Sequence, residues 1–274
     1  MMTSHLHRDL AAVISRRQAL GGMAVGLGGV LLAACGSRAG AQAGAEMGGQ
    51  ASADFCPPTP TEIKGPFPAD GSNGRPRPIN VLDMDGVIRR DIRSGFAGMD
   101  GHAEGALLEL ELSLVGSDGC RPLAGHAIYL WQNDAEGAYS LYNLRETNYL
   151  RGVQEADGRG VVQFTSIVPG CYGGRFPHCH FEVFESAAAA AQGAAPLLVS
   201  QLAFPADICR PLYRDDARYG DSLNNLSRMA MDRDFVFADA DEAGRERQTV
   251  ALTGDVTGGY RGTATVAVSA ANAA

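Results

Sequence analysis

The chain has 274 residues, 45% of them hydrophobic, and sets 23 Lys and Arg against 31 Asp and Glu for a formal net charge of −8. An acidic chain without basic runs lacks the clustered Lys and Arg that meet phosphates, which argues against a nucleic-acid partner. The length suffices for one large domain with a substantial core.

In chain order, the first feature is Arg16-Arg17 in "SRRQAL", followed by the apolar run "GGMAVGLGGVLLAAC" that ends at Cys35. A basic stretch, a short apolar run and small residues before a boundary make an export signal over residues 1–34. The paired arginines point to the twin-arginine route. "LAAC", Leu32 to Cys35, looks like a bacterial lipobox, in which the cysteine is lipidated and becomes the first residue. The apolar run of roughly 15 residues is short of the ~20 that span a bilayer. "GLGG" has neither the preceding strand nor the following acidic partner of a dinucleotide loop. The expectation is an exported lipoprotein, periplasmic or at the cell surface, held to the membrane through Cys35. Its charge is then −8 less the leader's +2 (three Arg, one Asp), or −10, over 240 residues. Five cysteines remain, Cys56, Cys120, Cys171, Cys179 and Cys209, so in an oxidising compartment some should pair and at least one stays unpaired within the chain. Their pairing is open at this stage.

Residues 35–54, with no large apolar side chain beyond Met47, read as a flexible tether to a domain over 55–274. Residues 55–105 are rich in Pro and Gly and read as an irregular arm laid over a core spanning 106–270. In "LLELELSLV", Leu108, Leu110, Leu112 and Leu114 alternate with Glu109, Glu111 and Ser113, the two-residue period of a strand with one wet face. "HAIYLWQ", "GVVQFTSIV", "HCHFEVF", "LLVSQLAF", "RQTVALTG" and "GTATVAVSA" read as further strands. Short strands separated by turn signals predict an all-β, antiparallel sandwich with few short helices. "SLNNLSRMAMDRD", Ser222 to Asp234, reads as a short helix, and "AAAAAQGAA", Ala187 to Ala195, as a surface excursion. No internal repeat is present.

The chemistry gathers in "YGGRFPHCHF". Side chains two apart on a strand share a face, so His178 and His180 can hold one ion while Cys179 points away. Zinc would need further ligands, and beyond the leader only His102 and His126 are available, one read as a solvated loop residue and the other as a strand-end residue. Tyr172, six residues before His178, and Tyr139, after the strand ending in "LWQ", are oxygen donors instead. A phenolate is a hard anionic donor that favours ferric iron over zinc.

"LWQNDAEGAYS", "FTSIVPGCYGGRFPHCHF" and "SQLAF" resemble the intradiol ring-cleavage dioxygenases, a family that includes protocatechuate 3,4-dioxygenase and catechol 1,2-dioxygenase. "CPPTPTEIKGPFP", "RRDI", "NYLRGVQEADGRG" and "VALTGDVTGGY" extend the similarity from about Cys56 to Val268, and the compact Tyr–x5–His–x–His spacing is closest to the family's exported branch. The resemblance implies one non-haem Fe(III) per chain held by Tyr139, Tyr172, His178 and His180, with Tyr139 and His178 equatorial and the other two axial. It implies that a catechol chelates the iron and displaces Tyr172, whose phenolate takes a proton. Both atoms of O2 then enter, and the ring opens between the hydroxyl-bearing carbons to a muconate-type diacid. By the same carry-over, Arg175 stabilises negative charge on the bound ring and Gln201 lies near the iron. Two departures stand out: Pro68, where many relatives carry an aromatic residue, and Cys179 between the histidines. Cys171 beside Tyr172 could form a disulfide, with Cys209 as one partner. The alternatives are a non-catalytic iron- or catecholate-binding lipoprotein on the same fold, and a structural sandwich whose His-x-His pair is incidental.

Overall fold

Among the described residues eight strands form two four-stranded sheets. A computed structural model describes residues 55–73 and 78–269. Strands β1 (Leu107–Gly116), β4 (Val161–Ile167), β7 (Ala251–Asp255) and β8 (Gly259–Val268) make one sheet in the order β4-β1-β8-β7. Strands β2 (Ala127–Trp131), β3 (Arg151–Glu155), β5 (His178–Phe184) and β6 (Leu198–Ala203) make the other, in the order β3-β2-β5-β6. All pairings are antiparallel except β1 with β8. On β1 the four alternating leucines are buried while Glu111 between them is exposed, as the sequence period requires. They pack against Ile128, Leu130, Phe181, Val183 and Leu202 of the facing sheet and close the sandwich interior.

The second sheet has no wet face. Every residue of β5 is buried, because both of its sides are covered. Cys179, Phe181 and Val183 enter the sandwich interior, so alternation sends His178, His180 and Glu182 to the opposite face. There residues of the arm pack on the sheet. Ala69, Val81, Leu82, Val87 and Phe96 pack on Tyr129, Trp131 and Val153 to form a second apolar layer. Arm backbone N–H groups of Glu62, Arg89 and Ile92 donate to the carbonyls of Val199, Val153 and Thr165 at 2.8, 3.0 and 3.0 Å. Arg151 on β3 is fully buried with no carboxylate partner, and its guanidinium donates to the carbonyls of Phe67, Pro68 and Ser140 at 3.0–3.1 Å. That one side chain ties the arm to the loop after β2.

Several details differ from the sequence reading. β3 was not foreseen: a buried arginine and a glycine interrupt its apolar period, and a Cβ on Gly152 would stand 2.5 Å from Ile92 Cγ2. The alanine run stays at the surface, but its first five residues are helical: α1 (Ala187–Ala191) is capped by Ser186 Oγ accepting from the Ala189 N–H, with Ala187 and Ala190 buried. Helix α2 (Ala206–Asp215) escaped notice because Pro211 lies within it. The expected helix over 222–234 stops early: α3 spans Ser222–Ser227, Ala230 is extended, and only a short 3-10 turn, Met231–Arg233, follows. Helix α4 (Glu242–Arg247) precedes β7. Cys56 and Cys120 form a disulfide that fastens the start of the arm to the turn after β1. Cys171 and Cys209 are both buried free thiols, as is Cys179, so the suggested Cys171–Cys209 bridge is absent. Arg16, Arg17, Cys35 and the tether lie outside the described residues.

Candidate metal centre

The four donors reach one point through four local devices. His178 and His180 need only the strand period of β5. Tyr139 is carried by a turn wound around Asp134, whose Oδ1 accepts from the backbone N–H groups of Glu136 and Ala138 at 3.1 and 2.9 Å. Tyr149 Oη donates to the other carboxylate oxygen at 3.1 Å and fixes that turn against the sheet. Tyr172 sits on the loop before β5, which α3 secures: Ser222 Oγ accepts from Cys171 N at 2.9 Å, and Asn225 Nδ2 donates to Cys171 O at 2.9 Å. The two tyrosine loops touch at Gly137, where φ is +87° and a Cβ would stand 2.9 Å from Tyr172 Cβ. Only glycine fits both the left-handed backbone and the close approach.

Tyr139 Oη lies 3.0 Å from His180 Nε2, 3.4 Å from His178 Nε2 and 3.5 Å from Tyr172 Oη. Tyr172 Oη is 3.3 Å from His178 Nε2, and the two histidine Nε2 atoms are 3.1 Å apart. No hydrogen bond joins the sixth pair, Tyr172 with His180. Donors about 2.1 Å from a shared ion stand roughly 3.0 Å apart at right angles, 3.6 Å at 120° and 4.2 Å when opposite. These five spacings are those of neighbouring donors around one ion.

The protonation states fit the same reading. His178 Nδ1 lies 2.6 Å from the Phe176 carbonyl, so that nitrogen carries the proton and Nε2 presents a lone pair. Burial, with Arg175 second, holds both imidazoles well below the ordinary histidine range, so they are neutral donors. Burial raises both phenols, and the Tyr172 phenol pushes Tyr139 further up. The two Nε2 atoms face each other across 3.1 Å, so a proton or a cation stands between them, and a multivalent cation would also ionise the phenols. Among the described residues no three His, Cys, Asp or Glu side chains gather at one point, so the phenols complete the donor set. Hard phenolate oxygens with two imidazoles suit ferric iron.

Arg175 and Gln201 stand beside these donors. Arg175 is 4% exposed; its Nη1 is 3.1 Å from His178 Nε2, and its Nη2 donates to Gln201 Oε1 at 2.6 Å. Gln201 is paired across the sheet with His180 and donates its Nε2–H to the Ile63 carbonyl at 2.9 Å. Trp131 stacks flat on His180, with ring centroids 5.0 Å apart. Phe67 approaches Tyr139 at 4.7 Å, and Phe235 lies 5.0 Å from the Arg175 guanidinium. His102 and His126 are elsewhere: the first is exposed and hydrogen-bonded to Ser94, the second is a partly exposed residue at the start of β2. Sequence reasoning missed Trp131, Phe67, Phe235 and Asp234. The last is a fully buried carboxylate that accepts from Arg175 Nε at 2.9 Å, and nothing local in "MDRDF" distinguishes it from a surface aspartate.

A family model described as Dioxygenase matches residues 93–215, the stretch from the end of the arm to the end of α2. That stretch resembles the intradiol dioxygenases. Its fold is shared by an intradiol ring-cleavage dioxygenase from Tetranychus urticae, 22% identical, with a TM-score of 0.58 over 78% of this chain and 95% of that one. A second dioxygenase structure matches at 21% identity and a TM-score of 0.59, over the same shares of the two chains. Catechol 1,2-dioxygenase from Pseudomonas arvilla C-1 matches more distantly, at 19% identity and a TM-score of 0.45 over 77% of this chain and 62% of that one. No curated protein sequence matches this one. The matched region supplies all four donors, Arg175 and Gln201, whereas Phe67 and Asp234 come from outside it.

Proposed function

We propose that the protein is a non-haem Fe(III) intradiol dioxygenase. It inserts both atoms of O2 into a catechol-type ring and cleaves it between the hydroxyl-bearing carbons to a muconate-type diacid. The observation that carries this reading is the convergence of two phenols and two imidazoles, with five of their six pairs at 3.0–3.5 Å. Iron bound there would supply the Lewis acidity that ionises the catechol hydroxyls and draws electron density from the ring.

The protein's own groups divide the remaining work. Tyr172 is the partly exposed phenol of the pair, whereas Tyr139 is 1% exposed. Tyr172 Oη is therefore the atom free to move aside and take a proton from an arriving catechol. The cationic Arg175 faces the site, with Gln201 steadying its far nitrogen, and offsets negative charge on the ring. Phe67 beside Tyr139 and Phe235 beside Arg175 offer aromatic surface to a flat ring. Pro68 leaves room where many relatives place an aromatic side chain, which supports a substrate pocket of different shape.

We also infer export by the twin-arginine route and lipid anchoring at Cys35, which "SRRQAL" and "LAAC" support; acyl-chain attachment is readable by mass spectrometry of the native N-terminus. The catalytic reading is tested on protein loaded with iron. About one Fe per chain, a tyrosinate charge-transfer colour and oxygen uptake with catechol, protocatechuate or hydroxyquinol are expected. Colour without oxygen uptake across that panel would leave a binder, and a colourless protein with incidental histidines would end the iron reading altogether.

A further inference from the structure

The Asp234 carboxylate accepts three N–H groups, and two of these contacts lead to the metal centre. It is completely buried. Both of its carboxylate oxygens accept from Arg175 Nε, at 3.2 and 2.9 Å. Oδ2 also accepts from the Phe176 backbone N–H at 2.6 Å, and Oδ1 from Val236 N–H at 2.9 Å. The carbonyl of Phe176 in turn accepts the Nδ1–H of His178 at 2.6 Å. With Nε captured, the guanidinium has only its outer nitrogens left, and these face His178 Nε2 and Gln201. Phe235 and Phe237, from the same segment, lie 5.0 and 6.0 Å from the guanidinium carbon.

We propose that Asp234 is a positioning residue that locks Arg175 and His178 into one register, so that the charge facing the substrate and the imidazole facing the metal are set by a single carboxylate. This rests on the dioxygenase reading of the site. A carboxylate is required because three N–H groups converge on it and it accepts only. An amide of the same shape has one acceptor oxygen and would turn its NH2 against one of those donors. Stability alone is a poor reason for the pair, since a buried ion pair gains little over apolar packing of the same volume.

The test uses the iron-loaded protein and reads kcat/KM, Fe(III) affinity by chelator competition, the charge-transfer band and the melting temperature. Asp234→Asn should lower kcat/KM by about 100-fold, the scale of a small misplacement at a reacting centre. It should weaken Fe(III) retention about 10–100-fold, as loss of a group that orients a metal ligand does. Asp234→Glu, which keeps the charge, should recover part of both losses. Arg175→Ala should already carry most of the kcat/KM loss, so adding Asp234→Asn to it should cost little more.

A folded Asp234→Asn protein with wild-type Fe(III) affinity and kcat/KM would overturn the proposal, as would losses that multiply fully in the double variant. If Asp234→Asn does not fold, Asp234→Glu decides: reduced kcat/KM at an unchanged melting temperature supports the role, and wild-type kinetics refute it. Wild-type protein that binds no iron and consumes no O2 would instead sink the dioxygenase reading. Iron binding without turnover leaves the Fe(III)-affinity comparison to decide the role of Asp234 on its own.

Discussion

Replacing each phenol in turn should separate a ligand that stays from one that leaves. Tyr139 Oη is 3.0–3.5 Å from all three other donor atoms, and its ring is buried against Phe67. Tyr139→Phe removes one of four donors while leaving that packing intact. Loss of a group that only orients a metal ligand costs about 10–100-fold in metal affinity, so loss of the ligand itself should cost at least about 100-fold, with most of the colour. Unfolding would not account for this. The metal-free protein loses only a phenol hydrogen bond, worth about 1 kcal/mol, which shifts the melting temperature by about 2–4 °C in a domain of this size. Tyr172→Phe should behave differently. It keeps Tyr139, both histidines and a phenolate band, yet removes the base that accepts the substrate proton, so turnover should fall by about 10²–10⁴-fold. Iron content, visible spectrum and oxygen uptake, measured side by side, check both. If either variant equals wild type in all three, that tyrosine does not bind the metal, and if Tyr172→Phe loses colour while Tyr139→Phe keeps it, the roles are reversed.

Arg151→Met should cost about 3 kcal/mol in chemical denaturation, since the Phe67, Pro68 and Ser140 carbonyls lose buried donors at roughly 1 kcal/mol or more each; a loss below 0.5 kcal/mol would mean the arm is held by other contacts. Replacing both Cys56 and Cys120 by Ser should lower stability by up to about 4 kcal/mol, the chain-entropy value for a loop of 64 residues, with iron content unchanged. Arg218 holds the Asp216 carboxyl below the usual carboxylate range. A depressed folded value adds stability that is present above pH about 4 and lost as pH falls through the folded value, so Asp216→Asn should flatten the acid limb of a stability profile below that pH. An unchanged limb would show that this pair contributes nothing.

What could be read from the chain is what repeats within a few residues. The leucines of β1 and the His178–His180 pair each obey the strand period, so the sandwich and half the donor set were visible without knowing what they face. Tyr139 and Tyr172 stood out as oxygen donors near the pair, but only their resemblance to known motifs made them ligands, because a tyrosine after a turn looks like any packing residue until the Asp134 turn and the α3 clamp place it. The second apolar layer was invisible for a similar reason: Val81, Leu82 and Phe96 follow no period, and their partners lie on a strand face that would ordinarily be wet. Arg151, fully buried, reads locally as a surface residue and broke the pattern of β3. Asp234 meets Arg175 across 59 positions of sequence, and no window of local pattern spans that distance.

The division has a chemical basis. Metal donors are restricted to a few residue types at fixed spacings, which makes them legible in a sequence. The surfaces that meet a substrate ring need only be apolar and well placed. Here Phe67 comes from the arm and Phe235 from the segment after α3, and both lie outside the matched residues 93–215. The same segment delivers Asp234 to the arginine that faces the ring. Ring selection should therefore be governed by these two flanking segments, and exchanging the arm residue or Phe235 should change which catechol is preferred while leaving the iron spectrum of the free enzyme unaltered. A panel of catechols on Phe67→Ala and Phe235→Ala, with the spectrum as control, checks this. Unchanged preference in both variants would return the choice of ring to residues of the metal-bearing strands.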